Sequence, residues 1–331
     1  MALALRRLWA GWLLGTLAVT GWAASCPPAP ESPTPATMER LQQQASDRGF
    51  LWRIRSEGHD SWLYGTMHVG RQDWLAPGPK VAAALGASEV LALEMNPLDA
   101  SIQQRMAALA GQHAGEWPQA LLPRVQKQMD KVCLPAAVRA ALHPMMLMTT
   151  LELYGLRAQG LYGEYGQEYL LADWARARRM RTVSMETPEA QIQVLLGPDA
   201  AVVPGDLESA LTASENGRSA KIAAALAQAW ATSDLERLRS YAAWCDCVKT
   251  ARDRAQVRAL LDERNPVLAD GIDALHRSGK TVFAAVGALH MIGPTGLPEL
   301  LRQRGYEVEY QYPLPPSRAV RTRPTASDSK R

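Results

Sequence analysis

Two histidines stand in the same four-residue pattern, Gly65-Thr66-Met67-His68 and Gly287-Ala288-Leu289-His290, and each closes an apolar run, "WLYGTMH" and "TVFAAVGALH". Two further apolar runs, "EVLALEMN" and "RTVSMET", close on the carboxylates Glu94 and Glu186. Two imidazoles and a carboxylate are the N/O set that binds Zn, Mn, Co or Fe in the divalent state with a position left open for water. Such an ion lowers the pKa of that water to about 7, giving a hydroxide nucleophile at neutral pH. His68, His290 and Glu94 would be the ligands, and Glu94 is equally a candidate general base. A lone histidine at a strand end is more often a satisfied polar group, with its glycine serving only the turn. The doubling of the pattern is what favours one shared site. The two lie more than two hundred residues apart, so only adjacent strands can bring them together.

Arg264, in "DERNP", has two readings. It is either half of an exposed ion-pair pattern on a helix or a guanidinium that reaches a crevice to hold a carboxylate or an oxyanion. His59, His113, His143 and His276 lack the glycine and acidic context and are expected to be structural or solvent-facing. The methionines of "HPMMLMTTLELYGL" suit a core or groove lining rather than a metal box. The chain has no G-x-S-x-G elbow, Walker loop, H-E-x-x-H helix or dinucleotide fingerprint, and "GLYGEYG" reads as a turn before a helix.

The elements that must position these residues alternate. "FLWRIRSEGHDSWLYG" reads as a β-hairpin, "PKVAAALG" as a short helix, "EVLALEMN" as a buried strand and "EYLLADWARARRM" as an amphipathic helix leading into the strand "RTVSMET". More helices follow, and the chain closes with strand "TVFAAVGALH", helix "GLPELLRQRG" and strand "YEVEYQY". The fold class is therefore α/β: a central sheet from two G-x-x-H-bearing halves with a helical insertion at about 98–165. In such sheets the carboxyl ends of the strands face the ligand crevice, and all four candidate residues sit there.

Composition bounds the rest. The 331 residues, 47% hydrophobic, suffice for a real core, and a formal net charge of +3 gives no basic field for nucleic acid. Residues 1–25 read as a signal peptide, with Arg6-Arg7 before an apolar stretch too short to span a membrane and Ala23-Ala24-Ser25 at its end. Export to the periplasm is expected, with no spanning segment in the mature chain; Cys26 is a candidate lipidation site. Residues 26–46 read as a Pro-rich linker and lead-in, 47–312 as the α/β domain and 313–331 as a disordered basic tail. In an oxidising compartment the four cysteines suggest disulfides, expected as Cys133 with Cys245 or Cys247, since one intervening residue looks awkward for pairing within "WCDC".

The pieces "LYGTMHVG", "LALEMN", "YLLADWARARRMRTVSMETPEAQ", "DERNP" and "VGALHMIGPTGLPELLRQRGYEV", taken in order, resemble the TraB/GumN family, related to the Tiki proteases. The resemblance implies a fold similar to erythromycin-esterase and ChaN-like proteins. It carries the family's two G-x-x-H motifs, its glutamate and its arginine onto His68, His290, Glu94 and Arg264, and some Tiki members are metal-dependent proteases. Where many relatives have Gly-x-Asp before a helix, this chain has "YGQEYLL" with Glu168, which with Glu186 is a candidate supporting carboxylate. The expected activity is that of an exported divalent-metal-dependent hydrolase, a peptidase among the candidates, acting on a peptide or other small substrate in a crevice. The competing expectation is a non-catalytic periplasmic protein that handles metal or haem or assists envelope polysaccharide export.

Overall fold

The computed structural model describes residues 26–197 and 199–313. The expected signal peptide and all but the first residue of the expected tail lie outside the described residues. Six strands form one sheet: β1 (Phe50–Ser56), β2 (His59–Thr66), β3 (Val90–Leu93), β4 (Arg181–Ser184), β5 (Val282–Gly287) and β6 (Glu307–Tyr310), in the order β4-β3-β5-β2-β1-β6. β1 and β2 form the predicted hairpin, with Ser56 opposite His59 and Glu57-Gly58 between them at φ of 51° and 83°, the twist that a two-residue turn needs. β6 pairs antiparallel with the outer edge of β1, while β4, β3, β5 and β2 run parallel. Parallel strands covered on both faces read as unbroken apolar runs, and "VLAL" of β3 and "VFAAV" of β5 are buried throughout.

The decisive register is that of β2 against β5. Gly65 stands opposite Val286 and Thr66 opposite Gly287, so the two motifs end side by side. The sheet packs into a large apolar core with the helices Pro79–Gly86, Arg218–Ala231, Asn265–Arg277 and Leu297–Gln303 contributing Leu85, Trp230, Leu268 and Leu301. Trp230 Nε1 donates to Gly65 O at 2.8 Å, which fixes the C-terminal end of its helix over the motif.

A second apolar cluster is wholly helical. Val125 and Met129 of the helix Leu122–Lys131 meet Leu147 and Leu151 of the helix Pro144–Leu156, and Leu207 and Leu211 of the helix Pro204–Glu215 complete it. The helical region expected at about 98–165 thus draws in a helix from beyond β4, because its own apolar faces need that partner to close.

The cysteines pair otherwise than the sequence suggested: Cys26 bonds Cys133, and Cys245 bonds Cys247. Asp246 between the latter adopts a left-handed φ of 56°, which folds the chain back and brings the Cα atoms to 5.1 Å. Since Cys26 Sγ is joined to Cys133, it has no thiol left to carry a lipid in this form. A helix lies within the expected linker and lead-in. Thr34 accepts from Thr37 N at 3.2 Å and Pro35 opens a helix, Pro35–Gln43, a capped start that the Pro-rich composition concealed.

Candidate functional site

Because β4, β3, β5 and β2 are parallel neighbours, the residues just beyond their ends line up across the sheet in that order: Glu186, Glu94, His290 and His68. His290 lies in a short 3-10 turn, Ala288–Met291, one step past the strand.

The carboxylates are fixed first. Glu94 is 7% exposed; its Oε1 accepts from Gly287 N at 2.7 Å and its Oε2 from Arg264 Nη2 at 2.8 Å. Arg264 also donates from Nε to Glu186 Oε1 at 2.7 Å and from Nη2 to Glu186 Oε2 at 2.5 Å. The guanidinium thus bridges the ends of β3 and β4, and Gln191 Nε2 bonds both carboxylates from the other side, at 3.3 and 3.1 Å. Burial alone would raise Glu94, but His68, His290, Arg264 and the Gly287 N–H together hold it below the usual carboxylate range. Arg264 is delivered by an irregular backbone: a π-helical turn, Arg258–Asp262, precedes it, and its Nη1 donates back to Leu260 O at 3.0 Å.

The histidines are anchored through the same nitrogen. Asn265 Nδ2 donates to Thr295 O at 2.8 Å, which turns its Oδ1 toward His290 Nδ1 at 2.5 Å. The proton is thereby assigned to Nδ1 and the lone pair to Nε2. Burial pushes His290 down to about 4, so it is neutral. His68 Nδ1 lies 3.1 Å from Glu168 Oε1. Its side chain is 69% exposed because it stands free within a cavity, and the charge of Glu168 raises it to about 9. Glu168 also accepts from Thr66 Oγ1 and is held below its usual range, the attraction of His68 outweighing its burial. Its helix, Gln167–Ala177, comes this close because residue 166 is glycine: a Cβ there would sit 2.7 Å from His68 O.

The motif glycines have different reasons. A Cβ on Gly65 would meet Met291 Cγ at 3.1 Å, Ala288 Cα at 3.3 Å and Phe50 Cβ at 3.3 Å, so Gly65 lets the two motifs pack together. A Cβ on Gly287 would stand 3.3 Å from Glu94 Oε1, 3.7 Å from His290 Cδ2 and 3.8 Å from His68 Nε2. Gly287 keeps the centre of the site open.

Every candidate in the sequence therefore falls at one place, with Glu168 and Glu186 as braces. Reasoning from sequence missed Asn265, Gln191 and Thr66. Asn265 and Thr66 lie inside the motifs that were singled out; for Thr66 a polar side chain in an apolar run was the available signal, and Asn265 offered none beyond its place next to Arg264. "DERNP" works as a unit: Asp262 accepts from Thr295 Oγ1 at 2.6 Å, Arg264 holds the carboxylates and Asn265 holds His290.

The donor types suit a divalent ion. Each imidazole has Nδ1 engaged by a side-chain oxygen, the outer support that ligating histidines commonly have, with Nε2 left over. Among the described residues no three His, Cys, Asp or Glu side chains stand close enough together to hold a metal ion as they are. His68, Glu94, Arg264 and His290 line a cavity of ≈ 640 Å³ whose walls are largely apolar, from the helices Pro144–Leu156 and Arg218–Ala231 and the π-helical turn.

The chain belongs to the TraB/PrgY/gumN family, whose model matches residues 50–310. No curated protein and no solved structure is similar enough to count as a match.

Proposed function

We propose that this member of the TraB/PrgY/gumN family is an exported, divalent-metal-dependent hydrolase that acts on a peptide or similar small substrate at the floor of the cavity. One observation supports this most: two histidines with Nδ1 anchored and a buried carboxylate surround the point left empty by Gly287. His68 and His290 would hold the ion through Nε2 with Glu94 as the neighbouring carboxylate, and the ion would supply a hydroxide nucleophile at neutral pH.

The protein's own groups do the rest. Arg264 and Gln191 fix the rotamer of Glu94, and the Gly287 N–H holds its Oε1 beside the histidines. An ionised Glu94 would take a proton from an attacking water and return it to the leaving group. Asn265 and Glu168 hold the two rings in the required orientation. His68 must give up a proton before it can ligate, which makes ion uptake release a proton and favours it at higher pH. The two disulfides and the Arg6-Arg7 leader support export.

Metal content of purified protein, measured beside His68→Ala and His290→Ala, tests the site; full occupancy in both variants would remove it. A screen of peptides and esters with Mn, Co and Zn tests the activity. Turnover abolished in Glu94→Gln supports hydrolysis, whereas metal or haem binding without turnover under every condition would mark a binding protein.

A further inference from the structure

One carboxylate in the cavity is unused by this chemistry. The helix Pro144–Leu156, "PMMLMTTLELYGL", carries a single acidic or basic side chain, Glu152. Thr149, Glu152, Leu153 and Leu156 share one face by their spacing, and all line the cavity. Opposite them lie Ser219, Ala220, Ala223 and Leu226 of the helix Arg218–Ala231, again one face. A carboxylate in such a wall needs a countercharge, and no described residue pairs with it. Among the described residues Glu152 makes no ion pair, and burial raises it with only the Ser219 hydroxyl favouring its charged form. Of the cavity's cations outside the histidines, Arg264 is paired with Glu94 and Glu186, while Lys131 Nζ donates to Gln128 Oε1 at 3.1 Å and is not among the groups that act on Glu152.

The facing helix gives the direction away from the sheet. Trp230, bonded to Gly65 O, marks the sheet end of its helix. Ser219, eleven residues earlier, lies about 16 Å back along the axis at 1.5 Å per residue. The lining between, Ala223, Leu226, Leu153 and Leu156, is apolar.

We propose that Glu152 is a specificity-determining residue, and that the cavity takes an extended apolar chain carrying a cationic nitrogen at the end remote from His68 and His290. The proposal rests on the reading of the cavity as a substrate site, and names the class of substrate. An ammonium group would supply the missing countercharge, whereas a carboxylate would meet a like charge and an alcohol would donate a hydrogen bond without supplying charge.

The test is binding alone. Octylammonium, octanol and octanoate are titrated calorimetrically into chelator-treated wild-type protein and into Glu152→Gln, with thermal melting to confirm that the near-isosteric variant is folded. The wild type should bind octylammonium tightest, and Glu152→Gln should lose roughly ten- to a hundredfold for octylammonium with octanol unchanged. Charge reversal in Glu152→Lys should move the preference to octanoate. The proposal is overturned if octylammonium fails to bind or binds no tighter than octanol, or if its advantage survives in Glu152→Gln. Because neither metal nor turnover enters, failure of the hydrolase reading alone would leave this result intact.

Discussion

His68 and His290 end parallel neighbouring strands in the same four-residue pattern, yet their chemistry is opposite. His68 stands free in the cavity beside a carboxylate and is pushed up to about 9; His290 is 3% exposed beside an amide and falls to about 4. The repeated pattern therefore determines where each imidazole is placed, and a partner from elsewhere in the chain determines its proton. Glu168 arrives on a helix that follows the helical region, whereas Asn265 comes from the residue after Arg264. A symmetric motif yields a site with one cationic and one neutral histidine, both flanking the same Glu94.

What the halves share should be hardest to remove. Arg264 is 15% exposed and is the countercharge for Glu94 and Glu186 at once. Arg264→Gln leaves two buried carboxylates facing each other, and breaking a buried pair this way costs about 3–5 kcal/mol. Urea denaturation at neutral pH should report that loss, and Arg264→Lys should recover only part of it, since an ammonium cannot present the planar fork. A loss below about 1 kcal/mol would mean that the two strand ends are not held by this clamp.

The motif glycines should separate next. Gly65→Ala forces a methyl against Ala288 Cα and Phe50 Cβ at 3.3 Å, in packed surroundings that cannot give way easily. Overpacking of this kind costs about 1–3 kcal/mol. Gly287→Ala meets only the ends of side chains bordering a cavity, so its stability loss should be the smaller, while metal uptake and any turnover fall because the methyl occupies the centre of the site. Equal stability losses with equal activity would show that the two glycines serve one purpose.

The protonation difference can be moved from half to half. In metal-stripped protein, Glu168→Gln should lower His68 from about 9 toward its ordinary value, because the Glu168 charge is the largest cause of its elevation. Asn265→Asp should raise His290 from about 4 by giving it the partner His68 already has. Imidazole proton shifts followed by NMR read both. If Asn265→Asp leaves His290 unmoved, burial alone governs it.

The sequence disclosed the pattern but not the partners. Strand ends are legible because alternation and buried apolar runs are local, and adjacency of β2 and β5 followed from requiring two distant histidines to meet. Glu168 and Arg264 were visible as candidates, yet their bonds depend on helix placement, which no local period encodes. Arg264 shows the limit clearly: the same residue fits an exposed helical ion pair or a buried clamp, and only the π-helical turn before it aims it inward. Cys245 and Cys247 failed for a related reason, since the left-handed Asp246 that joins them is one backbone choice among several. The capped start at Thr34-Pro35 was legible and was masked by the proline run around it.

The smallest effect tests whether burial alone neutralises a histidine here. His276 lies outside the site, 0% exposed, with Nδ1 accepting from Ser61 Oγ at 2.8 Å, Nε2 donating to Ser56 O at 3.1 Å and its ring stacked on His59 at 3.7 Å. Burial lowers it from 6.5, only partly opposed by the Ser56 carbonyl. Below pH 6.5 the unfolded chain then binds the proton that the folded chain refuses, so this contribution to stability is intact above 6.5 and lost as pH falls, at about 1.4 kcal/mol per unit of depression. His290 has the same sign, lost between 6.5 and about 4. His68 has the reverse: its contribution is full below 6.5 and fades as pH rises through about 9. Metal-stripped wild type and His276→Asn, unfolded in urea from pH 7.5 to 5.5, should differ in slope, with the wild type losing more stability on acidification and the His68 contribution cancelling between them. Parallel curves would mean that His276 takes up its proton inside the fold, and that burial without the surroundings of His290 does not keep an imidazole neutral.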